Sequence, residues 1–197
     1  MFIVSAPSGA GKTTLCKKLD SVLSNLRHSV SYTTRPPRPR EVNNRDYTFI
    51  DEDAFRLMIE RGEFAEWARV HGQLYGTSKK RLEELLNAGI DVILDIDTQG
   101  AMQIKEKYKE GIYIFILPPS MKALRERLEK RMANSKDEIE LRLRKAVDEI
   151  KDYYKYDYVI VNDIFKEALK ELEAIIISDR VSTKRINISW IEDSFLK

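Results

Sequence analysis

The sequence predicts an α/β protein built on a central parallel sheet of about five strands flanked by helices. Three observations carry that expectation. Apolar, β-rich runs recur along the chain, several of them apolar on consecutive positions, which is the pattern of strands covered on both faces. Helical patterns alternate with these runs. The first run also passes directly through a Gly-rich turn into a helix.

The predicted strands are Phe2-Ile3-Val4-Ser5, Ser29-Val30-Ser31-Tyr32, Val92-Ile93-Leu94-Asp95, Tyr113-Ile114-Phe115-Ile116-Leu117 and Tyr158-Val159-Ile160-Val161. Between them helical spacing covers Lys12 to Leu23, Ser78 to Ala88, Gln99 to Tyr108, Ser120 to Met132, Lys136 to Tyr153 and Lys166 to Ile177, with Ser78 a good N-cap. Residues 1–30, 78–119 and 149–177 therefore read as one core. Residues 31–77 interrupt it: the text is polar, rich in Pro and Arg, then antiparallel in pattern, with short strands at Tyr47–Ile50 and Phe64–Trp67 around a helix near Ala54 to Glu60. Residues 120–148 carry many charges and few long apolar runs, as an outlying helical flap does. Residues 178–197 form a C-terminal extension with no functional reading. The 197 residues make a single domain.

Composition excludes several classes. With 34 basic and 32 acidic residues the net charge is +2, so no global field draws the protein to nucleic acid or to anionic lipid, and phosphate recognition has to be local. The single Cys16 leaves no intramolecular disulfide, and with His28 and His71 it matches no zinc spacing. The apolar start Met1-Phe2-Ile3-Val4 is too short for a signal segment, and no run of about 18 apolar residues comes after it. The expectation is a cytoplasmic protein without membrane contact; monomer and homodimer both stay open.

The first strand leads into Ala6-Pro7-Ser8-Gly9-Ala10-Gly11-Lys12-Thr13, with Thr14 next in the helix. This is the Walker A arrangement. Glycines let successive backbone N–H groups turn inward around a phosphate, the helix N-terminus adds its positive dipole, and Lys12 reaches the transferring phosphate. The Thr13 hydroxyl is placed to hold Mg²⁺. Ala6 stands where the general pattern has glycine, and the loop closes provided its φ is negative. The loop alone implies a nucleoside triphosphate and leaves the reaction open.

The segment from Ser31 through Arg35-Pro36-Pro37-Arg38-Pro39-Arg40-Glu41 to Asp46-Tyr47-Thr48-Phe49 resembles the guanylate kinase signature. The resemblance continues in Gly62-Glu63-Phe64-Ala65-Glu66-Trp67, Tyr75-Gly76-Thr77 and Asp95-Ile96-Asp97-Thr98-Gln99-Gly100, and spans Val4 to about Ile177. It implies a P-loop nucleoside monophosphate kinase fold with a GMP-binding insertion, a helical lid over ATP, and γ-phosphoryl transfer from ATP to GMP with Mg²⁺ accompanying the ATP. The residues agree chemically. Arg35 and Arg38 sit on a Pro-stiffened segment, and planar guanidiniums grip a phosphate dianion through paired hydrogen bonds. Tyr47 and Tyr75 add hydroxyl donors. Guanine presents an N1–H and an amino group side by side; a carboxylate such as Glu66 accepts from both, while the Ser31 and Thr77 hydroxyls meet O6 and the ring edge.

By resemblance, Gly76, Glu41 and Asp95 join the GMP set, Arg35 also acts in catalysis, and the lid arginines Arg127, Arg131 and Arg142 face the moving phosphoryl group. Asn162 reaches the adenine side. Other roles stay open: Glu41 supports the arginines, Asp95 and Asp97 serve as caps, Asn162 caps a helix, and the lid arginines are ordinary surface charges. Arg40 and Asn44 stand where the family usually has glycine; asparagine tolerates left-handed backbone more readily than arginine. Two rivals share much of this pattern. A guanylate kinase-like scaffold domain that binds phosphopeptides would share the arginines and tyrosines, but such domains typically have degraded phosphate loops and this one is intact. A kinase for another monophosphate is disfavoured by Glu66 with Ser31.

Overall fold

The computed structural model describes residues 1–131 and 136–197, with Arg131 described by its backbone alone. In chain order the elements are β1 (Phe2–Ser5), α1 (Lys12–Val22), β2 (Leu26–His28), β3 (Tyr32–Thr33), β4 (Thr48–Phe49), α2 (Glu52–Glu60), β5 (Phe64–Val70), β6 (Gln73–Ser78), α3 (Lys79–Asn87), β7 (Asp91–Asp95), α4 (Thr98–Lys107), β8 (Ile112–Leu117), α5 (Met121–Arg131), α6 (Lys136–Lys151), β9 (Tyr158–Val161), α7 (Phe165–Arg180) and α8 (Ile188–Ile191).

Successive residues of a strand point to opposite faces, and every residue of β1 is buried, which is why its run is apolar without alternation. Phe2 and Val4 pack with Leu15 and Leu19 of α1 and Leu172 and Ile176 of α7. Ile3, between them, packs on the other face with Leu82 of α3, Ile104 of α4 and Phe115 of β8. The central sheet has the order β2-β7-β1-β8-β9, every neighbouring pair parallel. Its middle strand, β1, thus delivers the phosphate-loop segment at the carboxyl end of the sheet, where open α/β folds collect ligands.

The second predicted strand is displaced. The central sheet takes Leu26–His28, anchored by the fully buried Leu26, and the chain leaves it at Ser29, so that Tyr32–Thr33 enters a second, four-stranded sheet of order β4-β3-β6-β5. The second sheet is mixed, not antiparallel throughout: β3 pairs β4 in parallel and β6 antiparallel. Strand β6 carries polar residues and Gly76, which hid it in the sequence. That glycine has a packing reason, because a Cβ there would lie 2.8 Å from the Phe64 ring, which stacks on Phe55 with centroids 4.4 Å apart.

The α5–α6 pair closes on itself through Leu124, Leu128, Ile139, Leu143 and Ala146. At the other end of the molecule Arg180 and Arg185 both pair with Asp91 at the start of β7, which ties the segment after α7 to the sheet.

The loop between β3 and β4 holds two non-glycine residues in left-handed backbone, Arg40 at φ 74° and Asn44 at φ 62°. Asn44 gains from it, its side chain accepting from the Thr48 hydroxyl. Arg40 is exposed, and the left-handed conformation costs an ordinary L-residue about 1–2 kcal/mol. Arg40→Gly is therefore expected to raise stability by about 1 kcal/mol, read as a rise in Tm of about 2–4 °C; an unchanged or lower Tm would contradict the strain.

Candidate active site

Val4 of β1 pairs with Asp95 of β7, so the turn into α1 opens directly beside that carboxylate. Gly9 and Gly11 take φ of 99° and 95°, conformations open to glycine, and Gly11 serves as the N-cap of α1. Ala6 is not among the residues of positive φ, and the loop closes with alanine in that position. The Lys12 ammonium lies 2.7 Å from Asp95 Oδ1 and donates to the Ile96 carbonyl at 2.7 Å. Burial works against the charge on both groups, yet their mutual attraction prevails: the Lys12 pKa is raised and the Asp95 carboxyl stays well below the usual carboxylate range. His28 Nε2 stands 3.8 Å from Asp95 Oδ2, beyond hydrogen-bond reach.

Across the cavity, Glu41 braces the arginine segment. Its Oε1 accepts from Arg35 at 2.9 Å and its Oε2 from the Arg38 backbone N–H at 2.7 Å. The Arg35 guanidinium also lies over the Tyr47 ring, 5.3 Å from its centroid, and Tyr47 meets Tyr75 edge-on at 6.0 Å. Burial, with Asp95 nearby, pushes the Tyr47 hydroxyl up, so it keeps its proton and remains a donor. Glu66 is only 3% exposed and accepts from the Thr77 hydroxyl at 2.6 Å. Burial is the main force on its carboxyl group and pushes it up to about 7. The first turn of α4 comes so close that a Cβ on Gly100 would fall on Glu66 Oε2.

These two halves face one cavity of about 550 Å³. On the loop side it is lined by Ala6, Pro7, Ser8, Gly9, Gly11, Lys12, Thr13 and Thr14; on the other by Ser31, Arg35, Arg38, Tyr47, Glu66, Tyr75 and Asp95; and from α6 by Arg142. The remaining expected residues stand behind the wall. Thr77 orients Glu66, Glu41 holds the arginines, and Gly76 makes room for Phe64. Ala10 and Asn162 are joined to each other, the Asn162 amide donating to the Ala10 carbonyl at 2.7 Å. Arg127 does not reach the cavity: its guanidinium donates to the Asn162 carbonyl at 2.7 Å and, more weakly, to the Ala10 carbonyl at 3.4 Å. It clamps the loop to the end of β9. The Arg131 side chain lies outside the described residues.

Sequence reasoning missed three contributions to the wall. Val70, His71 and Gln73 come from the β5–β6 hairpin tip, whose His71 sits at φ 48°. Asp97, expected only to cap a helix, does cap α4 by accepting from the Gly100 N–H at 2.9 Å, and it lines the cavity as well. Glu149 arrives from α6. Its signal was present, since it comes seven residues after Arg142 and so shares its helical face.

A family model described as guanylate kinase matches residues 1–179. The chain belongs to the guanylate kinase family. Among curated relatives, the guanylate kinase of Geobacter metallireducens is 55% identical over 94% of this chain and 92% of its own length, and that of Psychrobacter arcticus is 49% identical over 94% and 89%. The crystal structure of guanylate kinase from Anaplasma phagocytophilum superposes with a TM-score of 0.83 at 33% identity, covering 100% of this chain and 94% of that one. The family match runs through the core and the whole second sheet and ends inside α7, leaving Arg185 and α8 beyond it. Among the described residues no helix is long and apolar enough to cross a membrane.

Glu66 makes the site's cost measurable. Its folded carboxyl group holds a proton more tightly than the ordinary value of 4.5. The associated stability is present in full below pH 4.5 and is lost as pH rises through about 7. Between pH 6 and 8 the wild type should lose about 1 kcal/mol that Glu66→Gln retains, measured by urea unfolding; equal losses in both proteins would contradict the assignment.

Proposed function

We propose that this chain is an ATP-dependent guanylate kinase that transfers the γ-phosphoryl group of ATP to GMP, giving ADP and GDP. One observation carries the reading: a phosphate loop with its lysine and an arginine–tyrosine–carboxylate half-site line the same cavity. A donor and an acceptor held there are brought into one encounter, and such positioning accounts for much of what phosphoryl transfer requires.

In this reading the loop N–H groups of Ser8 to Thr13 surround the donor phosphates, and Lys12 exchanges Asp95 and the Ile96 carbonyl for the phosphoryl group. Arg35, Arg38, Tyr47 and Tyr75 hold the acceptor phosphate. A GMP phosphate oxygen attacks the γ-phosphorus in line as the bond to the bridging oxygen breaks, and the electron pair leaves with ADP. That oxygen is already anionic, so no general base is needed and no covalent intermediate with the protein forms. Arg142 neutralises charge on the moving group from the cavity wall. Arg127 and Arg131 join it only when α5 closes, and Arg127 must first release its two carbonyls. Thr13, with the carboxylate of Asp97 on the same wall, offers the hard oxygen donors that suit Mg²⁺. That ion arrives with ATP and supplies positive charge at the donor phosphates. Closure of the flap over the filled cavity excludes water and so protects ATP from hydrolysis.

Base selection rests on Glu66. Guanine gives its carboxylate two donors, whereas adenine lacks that pair and leaves it desolvated and unpaired; sites of this kind reject such analogues by factors on the order of 10⁴. Ser31 and Thr77 add the contacts to the ring edge.

The direct test is ADP release with ATP–Mg²⁺ and each nucleoside monophosphate in turn, with Lys12→Met as the inactive control. GMP is expected to exceed AMP by about 10³-fold or more in kcat/KM. Preference for another acceptor, or full turnover by Lys12→Met, would overturn the reading.

A further inference from the structure

His28 closes β2 with its backbone anchored and its ring unengaged. Its N–H donates to Asp20 Oδ1 of α1 at 3.2 Å, and the next N–H, that of Ser29, donates to the Ile93 carbonyl of β7 at 3.0 Å. His28 pairs in register with Ile93, two residues before Asp95, so the His28 and Asp95 side chains stand on the same face of the sheet, the one that α1 covers. The His28 side chain is only 9% exposed, yet its Nε2 has no hydrogen-bond partner. Buried polar atoms in folded proteins are nearly always paired, so an unpaired one calls for a reason.

The reason lies across the strand. Asp95 Oδ2 stands 3.8 Å from His28 Nε2, while Lys12 holds the other oxygen, Oδ1, at 2.7 Å. The carboxylate is therefore gripped on one oxygen and only approached on the other. Its side chain is 6% exposed. In the mechanism above Lys12 leaves Asp95 for the donor phosphate, and a carboxylate shut from water without its cation is strongly unfavourable. That penalty opposes phosphate binding itself. Other nearby donors are poor substitutes: Cys16, one turn along α1 from Lys12, offers a thiol, which donates weakly, and the Tyr47 hydroxyl is engaged with the acceptor phosphate in the same mechanism. His28 has a ring nitrogen to spare. Once Lys12 lets go of Oδ1 the carboxylate can turn about its Cβ–Cγ bond, and a shift of about 1 Å brings Oδ2 within reach of Nε2.

We propose that His28 is the relief partner of Asp95: it donates its Nε2–H to Asp95 Oδ2 when Lys12 moves to the donor phosphate, so that the lysine is released without leaving a buried charge unpaired. The ring is a donor there with its hydrogen on Nε2. The unpaired nitrogen is then a donor held in reserve while Lys12 occupies Asp95. His28 touches no substrate in this account; it is a positioning residue that acts through Asp95 on Lys12. The inference rests on the reading of the loop as an ATP site but not on GMP as the acceptor.

Two measurements on the full-length chain test it. The first is equilibrium binding of ATP–Mg²⁺, without GMP, to the wild type, His28→Leu and His28→Gln. His28→Leu should bind about tenfold weaker, whereas His28→Gln, whose amide keeps a donor near the Nε2 position, should stay within about twofold of the wild type. His28→Val replaces His28→Leu should the latter fail to fold. The second is a melting comparison without nucleotide. With Lys12 present, His28→Leu should change Tm little; in the Lys12→Met background, where Asp95 has only His28 to turn to, it should lower Tm by about 3 °C or more. Unchanged ATP binding by His28→Leu, an equal loss in His28→Gln, or the same change in Tm in both backgrounds overturns the proposal. Should the wild type not bind ATP–Mg²⁺ at all, the ATP reading falls, and the melting comparison still decides whether His28 serves Asp95.

Discussion

Glu66 is a carboxyl group shut away from water against the Thr77 hydroxyl, and much of the surrounding architecture serves to hold it there. The β5–β6 ladder sets it opposite Thr77, and glycine at position 100 lets the first turn of α4 close over it. An ionised carboxylate has several lone pairs to satisfy, and one hydroxyl does not satisfy them. The carboxyl group answers by holding a proton up to about pH 7. A partner with two adjacent N–H donors would remove that penalty, so under the proposed function selectivity would arise from an unmet need built into the fold.

The opposite wall works by a related principle with the opposite outcome. Lys12 and Asp95 are both partly buried, and each makes the other's charge tolerable, so under the proposed function the cation is already largely desolvated when a phosphate arrives. Moving Lys12 to a phosphate exchanges one anionic partner for another and does not require stripping water from a free ammonium. The two walls are joined through β7, whose Asp95 pairs with β1 in register, and through the neighbouring turn, where Asp97 caps α4 beneath Glu66. Geometry on one wall of the cavity is thus fixed by the same strand as geometry on the other.

Features that depend on neighbours along the chain were legible in the sequence. The phosphate loop is contiguous, so its glycines, Lys12 and helix start declare it. The central strands Phe2–Ser5 and Ile112–Leu117 are apolar on consecutive residues because helices cover both faces. The local pattern puts the second strand three residues late, since Ser29 to Tyr32 reads the same whichever sheet receives it, and only Leu26 in the core decides. Long-range placement was hidden. Nothing local tells that Arg127 turns to the carbonyls of Ala10 and Asn162, that the β5–β6 tip reaches the cavity, or that Glu149 lines it. Arg40 shows the reverse case: tertiary context imposes left-handed backbone on a residue whose own preference opposes it.

Proton release on GMP binding measures the central claim directly. Titration calorimetry at pH 7 in buffers of differing ionisation enthalpy should show the wild type releasing about half a proton more than Glu66→Gln, as a carboxyl group poised near 7 gives up its proton to receive guanine. Equal proton release by the two proteins, or net uptake by the wild type, would contradict the account.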